Sequence, residues 1–446
     1  MVSRRKFIAT SALGGVGFAV SNSAMGMTAK SYRQILGSNE RINVAIIGLG
    51  RRLGAFYEPI AKKSSNVRLS YLCDVMESQR LNALTNFAAH IDYQPALEND
   101  FRKVLADRKV DAIINATPDH WHAPGSIMAM EAGKHVYVEK PSSHNMFENE
   151  LLGKAAGKYK KLVQMGNQQR SSGQSQEIIA AIHNGAIGTP YKAVAFYVNS
   201  RGEVPVQRSA PIPDGLDWDL WQGPAPRRMY TSETWDYNWH WYGWDYGTAE
   251  AGNNGTHELD VARWALGVDL PIRADVLANK RHFKEDGWEM YDSMLATFQF
   301  ADDKVIQWDS KSRNGYDTYG GGRGTIIYGT DGTVFLDRNN HRLTDRDGLV
   351  TKEFHTASLE SGTALGGGGD SSTAHVQNFF DGIRGKAELT APINDAGISM
   401  AMVHYSNIAA RIGKGFDIDE NTGRMADSDA MKLWDREYAP GWKPEV

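Results

Sequence analysis

Residues 42–54 read INVAIIGLGRRLG, an apolar run that ends abruptly in glycines and arginines. A continuous apolar run of this kind is typical of a β-strand buried on both faces of a parallel sheet. Gly48 and Gly50 follow it directly, so the backbone N–H groups of the turn can approach a pyrophosphate at the start of a helix. The stretch therefore predicts a dinucleotide-binding turn. Leu53 stands where a third glycine is usual, and Gly54 comes one place later.

A second apolar run, residues 66–74 (NVRLSYLCD), ends in an acid that fits the same interpretation. Asp74 lies 24 residues after Gly50, close to the spacing expected for a carboxylate that binds the ribose hydroxyls of NAD. That carboxylate would repel the 2′-phosphate of NADP, whereas Arg51 and Arg52 could pair with it. We give more weight to the carboxylate. The sequence therefore predicts NAD as the cofactor, with NADP as the less favoured alternative.

Two further apolar runs continue this pattern. Residues 110–123 (VDAIINATPDHWHA) predict a strand interrupted by proline, and residues 133–141 (GKHVYVEKP) predict another, with a helical stretch between them. This succession indicates right-handed crossovers and a doubly wound sheet. In such sheets, ligands bind at the carboxyl ends of the strands. We therefore expect a crevice lined by the loops after both strands, which contain Asp119, His120, Trp121, Glu139, Lys140 and Pro141.

Composition narrows the classes of function. The 446-residue chain is 41% hydrophobic and 23% charged, which is typical of a globular protein. Its formal net charge is −4, with both signs spread along the sequence, so no basic stripe is available to bind nucleic acid. The only cysteine, Cys73, cannot form an internal disulfide and is expected in the core. A small-molecule partner is therefore expected rather than a nucleic acid.

The N-terminus has a different character. Three basic residues, Arg4-Arg5-Lys6, precede a weakly apolar stretch at residues 7–20, which is too short and too glycine-rich to span a bilayer. Residues 3–8 (SRRKFI) resemble the twin-arginine export signal. We therefore predict that residues 1–26 are a cleaved signal peptide. The mature protein would be periplasmic or otherwise exported, without membrane insertion. The alternative is a basic tail on a cytoplasmic protein.

The glycine turn, the ATPDHWH segment (residues 116–122) and above all EKP (residues 139–141) resemble the Gfo/Idh/MocA family of sugar-related oxidoreductases. The likeness extends over nearly the whole chain after the leader. It implies an α/β fold in which residues 40–165 form an N-terminal Rossmann domain with a doubly wound parallel sheet. Residues 166–446 would form a C-terminal α+β domain with an open, mostly antiparallel sheet and the C-terminal helices. Because this sheet commonly serves as an interface in the family, we expect a homo-oligomer.

The resemblance also implies which residues bind the cofactor. The lysine of EKP lies near the nicotinamide and the reacting hydroxyl in this family, which points to Lys140. The alternative, a solvated lysine in a turn, is less favoured because Lys140 follows an apolar strand and precedes a proline. The DHWH segment could equally reflect aromatic packing, and we predict no metal site from its histidines. The predicted cofactor-binding set is Gly48, Gly50, Arg51, Arg52, Asp74, Thr117, Pro118, His120, His122, Glu139, Lys140 and Gln168.

Residues 251–260 (AGNNGTHELD) resemble the family's D-x-G-x-H-x-x-D segment. Gly255, His257 and Asp260 occupy the matching places, whereas Asn253 stands where aspartate is common. His257 is the candidate general base because imidazole titrates near neutral pH, although a structural role at the start of a helix is an alternative. Asn253 can orient the substrate or the imidazole ring. It carries no charge, so it cannot stabilise an imidazolium as a carboxylate would.

A long polar and aromatic stretch, residues 200–256, carries six of the 12 tryptophans: Trp218, Trp221, Trp235, Trp239, Trp241 and Trp244. So many aromatic residues are incompatible with disorder, and long loops are usually functional, so we expect an ordered loop over a site. Flat aromatic rings suit the C–H faces of a sugar, while the alternative is a satellite hydrophobic cluster under the loop. The predicted substrate-binding set is Lys140, Arg170, Trp239, Trp241, Asn253 and His257.

These residues lead to competing functions. The first is an NAD-dependent oxidoreductase acting on a sugar or sugar derivative, with His257 taking the hydroxyl proton and Lys140 stabilising the alkoxide. Because NAD is scarce outside the cytoplasm, its cofactor is expected to be tightly bound and recycled internally. The alternative is an NAD-dependent glycoside hydrolase that works by transient oxidation, elimination, hydration and re-reduction. A binding protein without chemistry is disfavoured because Lys140 and His257 are both present.

Overall fold

A six-stranded parallel sheet forms the first part of the fold in this computed structural model, which describes residues 40–355 and 370–446. The predicted signal peptide, residues 1–26, lies outside the described residues. The strands are β1 (Ile42–Ile47), β2 (Val67–Cys73), β3 (Ala96–Glu98), β4 (Ala112–Asn115), β5 (His135–Val138) and β6 (Val163–Met165). They lie in the order β3-β2-β1-β4-β5-β6, which confirms the doubly wound Rossmann sheet.

Both faces of this sheet are buried, as the continuous apolar run in β1 predicts. Ala45 and Ile47 pack into one hydrophobic cluster, and Val44 and Ile46 pack into a second one. Because successive side chains of a strand point to opposite faces, the two clusters cover the two sides of the sheet. Cys73 ends β2 and is buried, in agreement with its expected place in the core.

Helices follow the strands of the parallel sheet. They are α1 (Tyr57–Ala61), α2 (Glu77–Phe87), α3 (Phe101–Ala106), α4 (Asp119–Glu131) and α5 (Met146–Tyr159), with 3-10 turns at Leu53–Phe56, Lys63–Ser65 and Gln168–Ser171. The expectation of a loop at the DHWH segment is wrong, because α4 begins at Asp119. Pro118 caps it in an extended conformation, and an acid in the first turn is favourable there.

The second sheet has nine strands in the order β14-β13-β12-β11-β7-β10-β9-β8-β15. They are β7 (Pro190–Val198), β8 (Arg273–Asn279), β9 (Ser293–Gln299), β10 (Val305–Lys311), β11 (Arg323–Gly329), β12 (Gly332–Leu336), β13 (Asn340–Asp345), β14 (Val350–His355) and β15 (Phe416–Asp417). Neighbours are antiparallel except β7 and β10, which run parallel. This confirms the predicted mostly antiparallel sheet.

Six more helices follow in the described part of the chain, and one of them (Asp370–Ile383) packs against α1 and β5 of the first part. They are α6 (Gly173–His183), α7 (Trp218–Gln222), α8 (Thr256–Leu266), α9 (Asp370–Ile383), α10 (Ile393–Ile412) and α11 (Ser428–Lys432). Helix α8 packs against β7 and β11, and α10 packs against β8 and α8. Residues 200–256, which we call the aromatic segment, are described throughout and contain little regular structure besides α7. In the described part of the chain, no helix is long and apolar enough to cross a membrane.

Candidate active site

A cavity of about 730 Å³ lies at the carboxyl ends of the parallel strands, beside the point where the strand order reverses. This is where ligands bind in doubly wound sheets, and the volume is in the range of small-molecule sites. Residues that follow the parallel strands form one wall: Gly48, Gly50, Asp74, Thr117, Pro118, Glu139 and Lys140. The second part of the chain supplies the facing wall, which includes Tyr197, Arg201, Trp239, His240, Asn253, His257, Arg323 and Arg338.

The glycine turn after β1 has a shape that only glycine can adopt. Gly48 has φ +86°, and a Cβ atom there would lie 2.5 Å from the carbonyl oxygen of Ala116. Gly50 differs, because a Cβ built on it meets no atom within 4 Å and Gly50 lines the cavity. The turn therefore packs tightly against β4 on one side and leaves bare backbone toward the cavity on the other. Such a backbone can approach a pyrophosphate closely, so the turn fits NAD.

Asp74 stands at the end of β2 on the cavity wall. Its carboxylate accepts hydrogen bonds from the backbone N–H of Leu49 at 2.7 Å and of Met76 at 2.8 Å. Burial raises the pKa of Asp74, and these two hydrogen bonds oppose that shift. The carboxylate thus joins the glycine turn to β2, at the position from which a ribose is bound in Rossmann folds. This arrangement also fits NAD.

The two arginines of the turn already have acidic partners. Arg52 Nε donates to Glu139 Oε1 at 2.8 Å, and Arg51 Nη2 lies 3.2 Å from Asp236 Oδ2. Gln168 Nε2 also donates to Glu139, at 3.3 Å. These pairs neutralise the arginines and so weaken the case that they bind a 2′-phosphate. All five residues line the cavity.

Lys140 and Asn253 come together across the cavity, although 113 residues separate them. The Lys140 Nζ donates to the backbone oxygen of Asn253 at 2.8 Å and approaches its Oδ1 at 3.4 Å. Burial lowers the pKa of Lys140, while the carboxylates of Asp119 and Glu139 oppose this shift. An ammonium has three N–H donors, so this contact leaves Lys140 with donor capacity for a ligand.

His257 lies in the first turn of α8 and lines the same cavity. Among the described residues, neither of its ring nitrogens has a hydrogen-bond partner. Burial lowers its pKa well below the ordinary value, and the positive charges of Arg338 and Lys140 lower it further. The imidazole is therefore neutral at physiological pH and can accept a proton. This geometry agrees with its predicted place but does not assign its role.

Four more predicted cofactor residues also reach the cavity wall: Thr117, Pro118, His122 and Gln168. Thr117 Oγ1 donates to Asn115 Oδ1 at 2.7 Å, which fixes the loop after β4. The Nδ1 of His122 lies 2.6 Å from the backbone oxygen of Pro141, and its Nε2 is buried without a partner. No group of three or more metal-ligating side chains occurs among the described residues.

Two predicted residues do not line the cavity. His120 is fully buried, its Nε2 lies 2.9 Å from the backbone oxygen of Trp221, and its ring packs against Trp221 and Tyr246. Trp241 is 2% exposed and stacks on Trp288 with ring centroids 4.0 Å apart. Aromatic packing holds both rings away from the cavity, so the structure does not bring His120 together with the other predicted cofactor residues or Trp241 with the other predicted substrate residues.

Arg170 also lies off the cavity wall, apart from the other predicted substrate residues. Its guanidinium binds both carboxylate oxygens of Asp260, at 2.7 and 2.8 Å, and lies 3.2 Å from Asp395. A bidentate arginine–carboxylate pair fixes both side chains in a defined orientation. The pair joins the end of the parallel sheet to α8 and α10. Asp260, which matches the family segment, therefore serves the structure rather than the cavity.

Three tryptophans of the aromatic segment line the cavity: Trp221, Trp235 and Trp239. Trp221 and Trp239 also belong to a hydrophobic cluster with Met76 and Leu216, with Trp235 packed against it. These rings therefore form the satellite hydrophobic cluster that was one alternative from the sequence. One side of this cluster also lines the cavity, as the other alternative requires.

Several cavity residues were not predicted from the sequence: Tyr197, Asn199, Arg201, His240, Arg323 and Arg338. Arg201 is paired with buried Glu250 at 3.3 Å, and Arg323 is paired with buried Glu258. These side chains lie at the ends of strands of the second sheet, as Tyr197 and Arg323 do, or in loops and short turns, where sequence periodicity carries no signal. Only His240, flanked by Trp239 and Trp241, stands out in the sequence.

The chain spans less than half the length of the two curated relatives described next. The chain is 29% identical over 218 residues to a protein named glycosyl hydrolase family 109 protein from Saccharopolyspora erythraea, covering 45% of this chain and 47% of that protein. It is 29% identical over 152 residues to the uncharacterized oxidoreductase YrbE of Bacillus subtilis, covering 34% of this chain and 43% of that protein.

Solved structures share the fold over most of the chain. An aldose-aldose oxidoreductase of Caulobacter crescentus, complexed with glycerol, superposes with a TM-score of 0.63 at 17% identity, covering 85% of this chain and 100% of that one. A levoglucosan dehydrogenase in complex with NADH and levoglucosan gives a TM-score of 0.63 at 17% identity, covering 84% of this chain and 99% of that one. At these identities, the similarity shows the fold alone.

Two family models account for most of the sequence. Residues 42–167 match the Gfo/Idh/MocA model described as oxidoreductase family, NAD-binding Rossmann fold. Residues 181–443 match the companion model described as oxidoreductase family, C-terminal alpha/beta domain. The glycine turn, Asp74 and the cavity at the strand ends agree with the first description. The chain therefore belongs to the Gfo/Idh/MocA family of oxidoreductases with an NAD-binding Rossmann fold.

Proposed function

We propose that this protein is an NAD-dependent oxidoreductase that acts on a hydroxyl of a sugar or sugar derivative. The observation that carries the proposal is that Lys140, Asn253 and His257 line the same cavity as the glycine turn and Asp74. Solved relatives of the same fold include a levoglucosan dehydrogenase and an aldose-aldose oxidoreductase, whose names support a carbohydrate substrate.

Each residue of this group has a chemical task in the proposal. When bound, the nicotinamide exchanges a hydride with the carbinol carbon of the substrate. Neutral His257 accepts the hydroxyl proton as the carbonyl forms. The ammonium of Lys140 donates a hydrogen bond to the developing alkoxide, where a buried cation is worth more than in water. Asn253 holds the Lys140 ammonium through its backbone oxygen and thereby orients it.

The cofactor in this proposal is retained between turnovers. The aromatic segment supports this because it contacts residues on the cofactor side of the cavity at two places. The backbone N–H of Asp217 donates to Val75 at 3.1 Å, next to Asp74, and Asp236 pairs with Arg51 beside the glycine turn. Chain segments that cross both places would have to move before NAD could leave.

Export is a further part of the proposal. Residues 3–8 (SRRKFI) support a twin-arginine signal at residues 1–26, and a protein exported in the folded state can carry its cofactor with it. The mature protein would then act in the periplasm or another exported location. Fusing residues 1–30 to a reporter that is active only after folded export tests this. Replacing Arg4 and Arg5 by lysine should abolish reporter export.

A glycoside hydrolase activity is the second candidate. It is favoured by the similarity to the family 109 protein, although that match covers only 47% of the relative. In this reaction, bound NAD would oxidise the glycoside transiently, the aglycone would be eliminated, and water and hydride would then be added. Lys140 favours net oxidation or transfer between sugars instead, because its ammonium lines the cavity and can stabilise an alkoxide.

Single-turnover absorbance of the bound cofactor tests the main proposal. The purified mature protein is loaded with NAD, desalted, and mixed with a panel of aldoses, cyclitols and glycosides. At least one member should produce the 340 nm band of NADH together with a ketone or lactone product. A protein that holds NAD but reduces none of it with any member, while releasing aglycone from a glycoside, would favour the hydrolase.

A further inference from the structure

His240 presents one defined ring nitrogen to the cavity. It ends the 3-10 turn Asn238–His240 in the aromatic segment, and its ring lines the cavity. The Nδ1 lies 2.7 Å from the backbone oxygen of Tyr237, and a carbonyl can only accept, so Nδ1 carries the proton. In a neutral imidazole, the other nitrogen is then an acceptor. The Nε2 atom has no hydrogen-bond partner within the described residues. It is also not one of the fully buried unpartnered atoms, so a ligand can reach it.

The ring of His240 is held firmly in this orientation. It stacks on Trp239 with centroids 3.6 Å apart and an interplanar angle of 21°. Its backbone packs against Gly247, where a Cβ atom would lie 2.6 Å from the carbonyl oxygen of His240. Trp239 also lines the cavity. The two rings therefore form a rigid wall with one apolar face and one hydrogen-bond acceptor.

The surroundings of His240 keep it neutral. Burial lowers its pKa well below the ordinary value, and the nearby charges of Lys140, Arg201 and Arg51 lower it further. These three cationic side chains can only donate hydrogen bonds to a ligand in the cavity, whereas the Nε2 of His240 accepts one. A ligand group that satisfies Nε2 must bring an O–H or N–H of its own. In a sugar, that group is a hydroxyl.

We propose that His240 determines specificity: its Nε2 accepts a hydrogen bond from a substrate hydroxyl other than the one that is oxidised. This inference rests on the proposed function, in which the oxidised hydroxyl already has Lys140 and His257 as partners. The substrate class is then a polyhydroxylated ring that keeps a second free hydroxyl, with its C–H face against Trp239. Analogues in which that hydroxyl is removed or alkylated leave Nε2 without a partner, which costs binding.

A set of monodeoxy substrates tests the inference. The NAD-loaded full chain is assayed with the parent sugar found above and with each monodeoxy derivative, as wild type, His240→Phe and His240→Gln. His240→Phe keeps the stacking on Trp239 and removes the acceptor, whereas His240→Gln keeps an acceptor oxygen. His90→Phe is the matched control, because His90 stacks on Tyr57 at 4.8 Å and does not line the cavity. Sugar binding is followed in parallel by tryptophan fluorescence, since the proposal places the sugar ring against Trp239.

In the wild type, removal of one hydroxyl that is not oxidised should lower kcat/KM about 5- to 150-fold, the range for leaving a buried acceptor unsatisfied. His240→Phe should lose this discrimination and turn over the parent and that deoxy sugar equally, while His240→Gln restores part of it and His90→Phe resembles the wild type. Discrimination that persists unchanged in His240→Phe overturns the inference. If no sugar reduces the bound NAD, the proposed function fails, and the fluorescence titrations then decide separately whether His240 accepts a hydrogen bond from a hydroxyl of a bound sugar.

Discussion

Two buried lysines of the Rossmann domain show how the environment decides what a residue can do. Lys134 is 3% exposed, and its Nζ donates to two backbone oxygens, those of Asp107 at 2.7 Å and Val110 at 2.8 Å. Lys140 donates to the backbone oxygen of Asn253 and faces the cavity. The first lysine is consumed by structural hydrogen bonds, and the second retains donor capacity beside the cofactor turn.

Replacing these lysines by methionine separates chemistry from stability. Lys140→Met should lower kcat about 10²- to 10³-fold, because it removes a donor to the developing alkoxide. Lys134→Met should cost about 1–3 kcal/mol of unfolding free energy, with kcat unchanged, because it removes the donor to the Val110 carbonyl, while the Asp107 carbonyl keeps the backbone N–H of Val110. Single-turnover NADH formation, melting temperature and retained NAD are measured for both. Near-native turnover in Lys140→Met would remove it from the proposed mechanism.

Asp74 offers a second test at this scale. Asp74→Asn keeps an oxygen that can accept from Leu49 N–H but removes the charge. NAD affinity should fall roughly tenfold, and the preference for NAD over NADP should narrow, because the repulsion of a 2′-phosphate is lost. Asp111→Asn is the control, since Asp111 accepts from the N–H of Asn43 near the opposite end of β1. Equal discrimination in wild type and Asp74→Asn would show that Asp74 does not bind the ribose.

The elements around the site were predictable where the signal is local. The apolar run of β1, the glycines and the acid at the end of β2 give the cofactor turn, because a buried strand and a tight turn each constrain nearby residues. The short strand β3 (Ala96–Glu98) was missed because three residues carry no periodicity. The sequence predicts a loop at the DHWH segment, although the proline before it caps α4.

The aromatic segment fits closely against α4, and this contact can be tested. Gly223 has φ +45°, and a Cβ atom there would lie 1.9 Å from Cζ2 of Trp121, whose Nε1 donates to the backbone oxygen of Trp221 at 3.0 Å. Gly223→Ala should displace the segment and speed NAD loss from the purified protein by about tenfold or more, given about 1–3 kcal/mol for overpacking.

A second glycine substitution serves as the control that distinguishes the effect of the steric clash from the effect of backbone strain. Gly185 has φ +88°, and a Cβ atom there meets nothing within 4 Å, so Gly185→Ala introduces a similar strain without a collision. It should lower the melting temperature and leave the rate of NAD loss unchanged. Release of NAD at the same rate from both variants would contradict the view that the aromatic segment retains the cofactor.

At the scale of the molecule, the sequence predicted both sheets but not the pairings between distant residues. Arg170 meets Asp260 across 90 residues, and no local pattern shows that this partner removes the arginine from the cavity. The packing of Trp241 on Trp288 is equally nonlocal. Motif resemblance located Lys140, Asn253 and His257, whereas His240 and the cavity arginines depend on tertiary packing.

Buried histidines make the whole molecule sensitive to acid. Burial lowers the pKa of His120 and His404 to about 3 and that of His375 to about 4. Below pH 6.5, the unfolded chain binds a proton at each of them while the native protein does not, so stability falls as pH decreases from 6.5 toward 4. Each contributes a slope of up to about 1.4 kcal/mol per pH unit. Urea unfolding from pH 7.5 to 4.5 measures the slope.

The source of that acid sensitivity can be isolated with one substitution. His404→Gln should reduce the slope by about one proton relative to the wild type, since Gln does not titrate. The Nε2 of His404 lies 2.8 Å from Ser143 Oγ, and glutamine can keep that hydrogen bond. A slope that is identical in His404→Gln and the wild type would show that other groups, such as paired carboxylates, govern the acid limit.

The proposed retention of the cofactor and the proposed export lead to one last prediction. If the chain carries NAD to a place where free NAD is scarce, each catalytic cycle must restore the oxidised cofactor without exchanging it. A second sugar is then reduced, or the same substrate is oxidised and reduced in turn.

Sugars and glycosides are incubated with the desalted protein in deuterated water without added NAD, and products are followed by chromatography and mass spectrometry. Many turnovers per bound NAD, with no net NADH, are expected. Deuterium beside the oxidised carbon would identify the elimination route, and its absence would identify transfer between sugars. Strict dependence on added NAD, with NADH released in equal amount, would contradict internal recycling and leave a dehydrogenase that needs an external supply of cofactor.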